Sequence, residues 1–151
     1  MKNIFSESVN SELLDRINKL SSGSKPLWGK MSVSQMLAHC NVTYELVYEE
    51  DKHPKPGFFM KLVLKTIVKS TVTGTKPYKQ SLRTAPMFLV ADDKNFESEK
   101  ERLITHLKTT QQLGESYFDG KESHSFGVLN KDEWNTMFYK HLDHHLRQFG
   151  V

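Results

Sequence analysis

Cysteine is nearly absent from this chain: Cys40 stands alone among 151 residues. No internal disulfide can form, so the fold must rest on packing instead of covalent staples. That usage suits a reducing cytosol. No apolar run comes after Lys2 in Met1-Lys2-Asn3-Ile4-Phe5-Ser6-Glu7, so a signal peptide is not expected and the protein reads as cytoplasmic. A dense block of one charge is missing too. The formal net charge is +3, and the lysines are spread along the chain, which argues against nucleic acid as a partner. Internal repeats, low-complexity tracts and strand pairs joined by a hairpin turn are also not evident. What is there is an ordinary globular balance, 37% apolar and 26% charged, in a length that fits one domain, 1–151, around one core.

Helical periodicity fills that length. Val9, Leu13, Ile17 and Leu20 recur at helical spacing and define one apolar stripe. Ser21-Ser22-Gly23-Ser24 and Pro26 end that helix. Ser32 with Gln35 reads as a capping box, and Met31 and Met36 hold the positions of a hydrophobic staple around it. A second helix is therefore predicted from there to about residue 50. Its inner stripe is Met36, His39 or Cys40, Thr43, and Leu46 or Val47. The segment 51–92 is long for a connection between helices. His53-Pro54-Lys55-Pro56-Gly57 interrupts the pattern, and 58–72 is then strongly apolar with Lys61, Lys65 and Lys69 along one side.

That pattern predicts a crossover helix whose apolar side faces the core. A membrane surface would suit the same pattern, but the stretch is too short and too charged to span a bilayer. The core-facing helix explains it without lipid, so membrane contact is not expected. Gly74, Pro77 and Pro86 break the rest of the connection into irregular loop. A third helix is predicted from Asp92 or Asp93, either of which suits the cap, with Phe96, Leu103, Leu107 and Gly114 on one stripe. The stretch 120–127 reads as loop. Asn130 and Glu133 form a second box with Leu129 and Trp134 as its staple, and Arg147 and Gly150 mark the end of the last helix. Four long helices with one long crossover make an all-α, four-helix-bundle protein.

The last helix carries His141-Leu142-Asp143-His144-His145. Its stripe is Trp134, Phe138, His141, His145 and Gln148 or Phe149, so two histidines take positions that would otherwise be core. An i, i+4 pair projects from one face with Cβ atoms about 5–6 Å apart, close enough for two ligands on one ion. His39 lies on the inner stripe of the second helix, and a bundle core is where such distant side chains converge. The same pair also fits a solvated helix face or a hydrogen-bonded core pair, and spacing does not separate His145 from His144. His53, His106 and His124 have no second histidine at ligand spacing and read as ordinary surface or loop residues. Trp134 and Phe138 read as core packing. Cys40, about 100° around the helix from His39, reads as a small core residue.

At these residues the chain resembles a known superfamily. Trp28-Gly29-Lys30-Met31-Ser32-Val33-Ser34-Gln35-Met36-Leu37-Ala38-His39 is similar to the second-helix entry of DinB-like proteins. Phe126-Gly127-Val128-Leu129-Asn130-Lys131-Asp132-Glu133-Trp134 and Lys140-His141-Leu142-Asp143-His144-His145-Leu146-Arg147-Gln148-Phe149-Gly150 are similar to their last helix. Thr84-Ala85-Pro86 and Asp93-Lys94-Asn95-Phe96-Glu97 fit a branch of unassigned function. One position departs: Ser125 stands where a proline is expected after His124.

The resemblance implies a bundle of up-down-down-up order, with the crossover between helices two and three. It also implies a three-histidine site for a divalent metal ion, with ligands falling on His39, His141 and His145. Some superfamily members are thiol-dependent S-transferases or isomerases using bacillithiol, mycothiol or glutathione; others have no known activity.

Three neutral histidines leave the ion's charge uncompensated and at least one position open. Zinc or nickel held this way activates a water or binds a low-molecular-weight thiol as thiolate. The expected function is thus a metal-dependent transferase or hydrolase acting on a small-molecule substrate, with a non-catalytic metal-binding structural module as the alternative. Glu45, Glu133 and Asp143 do not share the histidine stripe, and none is assigned a catalytic role. Gln148 suits either a contact to substrate or to a water behind the ligands, or a helix-end cap. A homodimer is left open.

Overall fold

The computed structural model describes residues 1–49, 51–81 and 85–151, and its regular structure is almost wholly helical. In chain order the elements are α1 (Glu7–Asn18), α2 (Val33–Tyr48), α3 (Phe58–Val63), α4 (Lys69–Thr73), α5 (Phe96–Phe118), a short ribbon of β1 (Glu122–Ser123) and β2 (Gly127–Val128), and α6 (Lys131–Gln148). A π-helical turn, Leu64–Val68, fuses α3 to α4, and Pro86–Phe88 form one 3-10 turn. Among the described residues α1, α2, α5 and α6 are the long helices, and together they enclose the core.

Local chemistry sets most of the helix starts. The Gln35 amide donates to Ser32 Oγ at 3.2 Å and the Ser32 amide donates to Gln35 Oε1 at 3.0 Å. The same reciprocal box joins Glu133 and Asn130, at 2.9 and 3.0 Å. Each satisfies amides that a helix start leaves without partners, and losing such a cap costs about 1 kcal/mol. The second helix ends at Tyr48; Glu50, its expected end, lies outside the described residues, as does Thr84.

Two boundaries differ from expectation. The cap of α5 is neither Asp92 nor Asp93 but Asn95, whose Oδ1 accepts the Ser98 amide at 2.9 Å. The helix starts only where Phe96, its first buried apolar side chain, enters the core. Gly114, expected on the helical stripe, takes φ 69° and breaks the helix there, a conformation that glycine adopts without strain. The loop at 120–127 also contains a short antiparallel ribbon, with Glu122 paired to Val128 and Ser123 to Gly127. The Ser123 hydroxyl closes its turn, donating to Gly127 O at 2.8 Å and accepting from the Phe126 amide at 2.9 Å. Ser125, where a proline was expected, is buried in this turn.

The core draws Leu13 and Ile17 from α1, Met36, Leu37, Cys40 and Tyr44 from α2, Leu103, Leu107 and Phe118 from α5, and Trp134, Phe138, Leu142 and Leu146 from α6. Trp134 and Phe138 pack as expected, with ring centroids 5.4 Å apart, and Tyr44 stacks on Phe138 at 5.1 Å. Cys40 is fully buried, and burial pushes its thiol well above the usual range. That makes it a core residue and no nucleophile.

The stretch 58–72 departs most from its expected place. It is helical, but none of α3, the π-helical turn or α4 contains a buried residue. Two of its lysines face the body: Lys61 pairs with Glu122 at 3.1 Å and Lys69 with Glu133 at 2.8 Å. Of this stretch, Val72 packs half-buried against the core, near the segment's end. No described helix is long and apolar enough to cross a membrane.

Lys140 secures the end of this segment to α6. Its side chain is buried, its ammonium donates to Thr71 O at 2.7 Å and to Gly74 O, and it lies 4.5 Å from the centre of the Tyr78 ring. Hydrogen bonds from a charged donor contribute about 1.5–3 kcal/mol. Lys140→Met, which keeps most of the stem, should therefore lower the unfolding free energy by about 1–3 kcal/mol in a urea titration. A loss below about 0.5 kcal/mol would show that the ammonium does not hold the segment.

Candidate metal centre

The three histidines expected to form a site do meet. One ring nitrogen from each of His39, His141 and His145 lies within 4.8 Å of those of the other two, and His39 Nε2 is 3.0 Å from His141 Nε2. Two facts of local structure bring this about. The capping box at Ser32 sets the phase of α2 and turns His39 inward with Met36 and Thr43. The i, i+4 spacing on α6 then places His141 and His145 one turn apart on the face that meets α2. His39 and His145 are buried and His141 is half-buried.

The other ring nitrogen of each histidine is engaged. His39 Nδ1 is 2.9 Å from the Phe88 carbonyl, His145 Nδ1 is 2.8 Å from Gln148 Oε1, and His141 Nδ1 is 3.1 Å from Thr43 Oγ1. A carbonyl only accepts, so His39 carries its proton on Nδ1 and presents an unprotonated Nε2. Gln148 uses its amide nitrogen to donate to Trp28 O at 2.7 Å. Its oxygen is left to accept from His145 Nδ1, which again frees Nε2. Thr43 can donate or accept.

Burial lowers all three imidazole pKa values, because the charged form loses its water. For His39 the Phe88 carbonyl opposes this in part, and His144 adds to it. His141 falls well below the usual range, by burial and then by the neighbouring His145, His39 and His144. His145 falls to about 3, by burial and by His39, against its hydrogen bond to Gln148 Oε1. The cluster is therefore neutral near pH 7, the form in which imidazole is a ligand.

These observations test whether the residues suit an ion. Ligand nitrogens at 2.0–2.1 Å from a tetrahedral ion stand about 3.3 Å apart, and the His39–His141 pair is close to that spacing. Metal-ligating histidines almost always use their second nitrogen on a carbonyl, a carboxylate or a similar group, as all three do here. The donor set fits a divalent ion.

Gln148 thus joins His145 to the Trp28 carbonyl. Its placement depends on Gly29, which has φ +82°; a Cβ there would lie 2.7 Å from Gln148 Nε2. Phe88 and Thr43 were not legible as site residues. Phe88 comes from the irregular connection and brings both its backbone oxygen and a ring 5.4 Å from that of His39; Thr43 lay on the inner stripe with no sign of a histidine partner.

His144 turns elsewhere. It lines a cleft of about 550 Å³ with Trp28, Tyr78, Lys140 and Arg147, and none of the triad lines that cleft. Of the remaining histidines, none joins the triad among the described residues, but they are not ordinary surface residues. His53 Nε2 is 2.7 Å from Glu45 Oε2, and His106 Nδ1 is 3.1 Å from Asn41 Oδ1 with its ring stacked on Tyr44. His124 Nδ1 is 2.9 Å from Ser125 Oγ. Their partners come from distant or loop positions that periodicity does not reveal.

Glu45 is the other buried charge of note. It pairs with Lys52 at 2.8 Å, with His53 and with Arg102. Burial alone would raise its pKa, but the hydrogen bonds from Lys52, His53 and Arg102 outweigh burial and hold it at about 2.

Fold and site together define a mostly helical protein with a three-histidine cluster able to receive a metal ion. The chain belongs to a family of unknown function, DUF1569, whose model matches residues 7–150. No curated protein and no solved structure matches it.

Proposed function

We propose that this chain is a DinB-like metal protein, one domain in which His39, His141 and His145 hold one divalent ion, zinc or nickel. The observation that carries the reading is that the three rings converge while their outer nitrogens are bonded away: His39 Nδ1 at Phe88 O and His145 Nδ1 at Gln148 Oε1 place protons there and turn unprotonated Nε2 atoms toward the centre. Four long helices with a crossover between α2 and α5 support the superfamily placement, as do the segments around His39 and His141. Such an ion supplies Lewis acidity at neutral pH toward a water or a low-molecular-weight thiol. The residues' own part is to stay neutral, hold their ring planes and exclude bulk water. On this reading the protein is a thiol-dependent S-transferase or a metal-dependent hydrolase in the cytoplasm.

Elemental analysis of untagged protein tests the site. Close to one zinc or nickel per chain is expected, and His141→Ala should carry none. Equal metal in both proteins would refute it. Gln148→Ala should weaken metal affinity about 10–100-fold, the usual cost of removing a group behind a ligand. Competition with a chromogenic chelator measures this; unchanged affinity would return Gln148 to a helix-end role.

A non-catalytic module is the second reading, favoured by one observation: the 550 Å³ cleft is lined by His144 and not by the triad. Cobalt-substituted protein distinguishes the two. A sulfur-to-metal charge-transfer band on adding glutathione or bacillithiol, with faster conjugation of chlorodinitrobenzene that His145→Ala removes, supports the transferase. Hydrolytic turnover without that band supports water activation, and metal binding with neither supports the module.

A further inference from the structure

The fused helix α3–α4 rests on the body through half-buried Lys61, Leu64, Val68, Lys69 and Val72 and leaves a wide apolar side outward. Phe58 and Phe59 are 81% and 82% exposed, Ile67 66%, Met60 55%, Leu62 53% and Val63 44%. The opposite side is held to the body by Lys61 on Glu122 and Lys69 on Glu133, while the Lys65 stem crosses Gly127, whose added Cβ would lie 2.7 Å from Lys65 Cε. The π-helical turn at Leu64–Val68 sits between the two ion pairs. In an α-helix, positions four apart drift by about 40°. The wider i→i+5 turn changes that drift, and Lys61 and Lys69 both lie half-buried on the inner side while Phe59, Val63 and Ile67 stay exposed on the outer.

We propose that this outer face is the contact surface of a symmetric dimer, covered by the same face of a second copy of the chain. The area is the first argument. With large side chains presenting 150–250 Å² when fully exposed, the six residues offer roughly 700 Å² of mostly apolar surface. The largest patch on an ordinary monomer is about 300–600 Å², and a stable interface needs about 800 Å² from each partner. Charge is the second. A helix that lies on a lipid surface turns its cations toward the headgroups around its apolar face, whereas here Lys61 and Lys69 are spent on carboxylates of the body. A face made of six uncharged apolar side chains is its own complement. A twofold axis brings the same patch against itself with no matching charges required and closes the assembly at two.

Sedimentation equilibrium of the full chain at tens of micromolar tests this. The expected mass is twice 17.5 kDa. Phe59→Asp with Ile67→Asp should halve that mass while leaving helical content and metal binding unchanged, since both side chains point away from the core. Leu27→Asp, which changes an equally exposed leucine outside the patch, should keep the dimer. A monomeric wild type overturns the proposal, as does a dimer that survives the double substitution. A monomer that instead binds vesicles of phosphatidylglycerol and phosphatidylcholine through Phe59 and Ile67 overturns it in favour of a lipid surface.

Discussion

Zinc or nickel at a thousandfold excess over its Kd should raise the melting temperature by about 8–16 °C. Binding at that excess stabilises the native state by about 4 kcal/mol if the unfolded chain does not bind. Each kcal/mol shifts the midpoint of a chain this long by about 2–4 °C. The effect is large because α2 and α6, which carry the three ligands, are 98 or more residues apart in the chain at their closest site contacts, Thr43 to His141 and His39 to His141. Unfolding must therefore dissolve the site.

Melting curves of apo, reloaded and His141→Ala protein check this, with the variant expected to show no metal-dependent shift. Identical midpoints in apo and reloaded wild type would remove any tie between the two helices. Acid should act in the same direction. Folded-state pKa values below the ordinary 6.5 mean that the unfolded chain takes up protons first as pH falls. Histidine-linked stability is then present above about 6.5 and is lost on acidification toward His145's value of about 3, and protons also compete with the ion for the same nitrogens.

Replacing Glu45 with Gln should cost about 2–3 kcal/mol at pH 7. Its side chain is 5% exposed, and it accepts from Lys52, His53 and Arg102. The substitution leaves those donors facing a neutral amide. Lys52 and Arg102 are 42% and 33% exposed, so they recover part of their hydration, which keeps the cost below the roughly 3–5 kcal/mol of a fully buried broken pair.

The pH dependence gives this prediction its signature. Glu45 titrates at about 2 in the folded protein against an ordinary 4.5. Its contribution is complete above about pH 4.5 and is lost as pH falls toward 2. Urea unfolding of wild type and Glu45→Gln should thus differ by a constant amount from about pH 7 to 5 and converge below. A difference independent of pH down to about 2.5 would show that shape, and not charge, makes Glu45 matter.

The legible parts of this molecule are those governed by contacts a few residues apart. Ser32 with Gln35 and Asn130 with Glu133 announce helix starts because the capping box is closed within four residues, and both boxes form. The i, i+4 histidines of α6 are visible as a pair for the same reason, but spacing alone left His144 and His145 equivalent. Packing separates them: His145 turns toward His39 and Gln148, while His144 meets Trp28 and Tyr78 at the cleft. Asn95 was missed as a cap because Asp92 and Asp93 offer the same side-chain chemistry nearby, and only the burial of Phe96 chooses among them.

Periodicity reports that a segment is amphipathic but not which side meets the body. The stretch 58–72 shows this most clearly. Its alternation of apolar residues and lysines is correctly helical, yet Lys61 and Lys69 turn inward beside Leu64, Val68 and Val72 while Phe58, Phe59 and Ile67 face out, because Glu122 and Glu133 are brought to the two lysines by the ribbon and α6. The same holds at the metal centre. That His39, His141 and His145 are ligand types at suitable positions is a property of the chain. That they are neutral, and that two present Nε2, depends on Phe88 O, Gln148 Oε1 and the loss of water around them. A carbonyl contributed by a connecting turn and a dielectric set by four packed helices have no local pattern, since both exist only once distant segments have met.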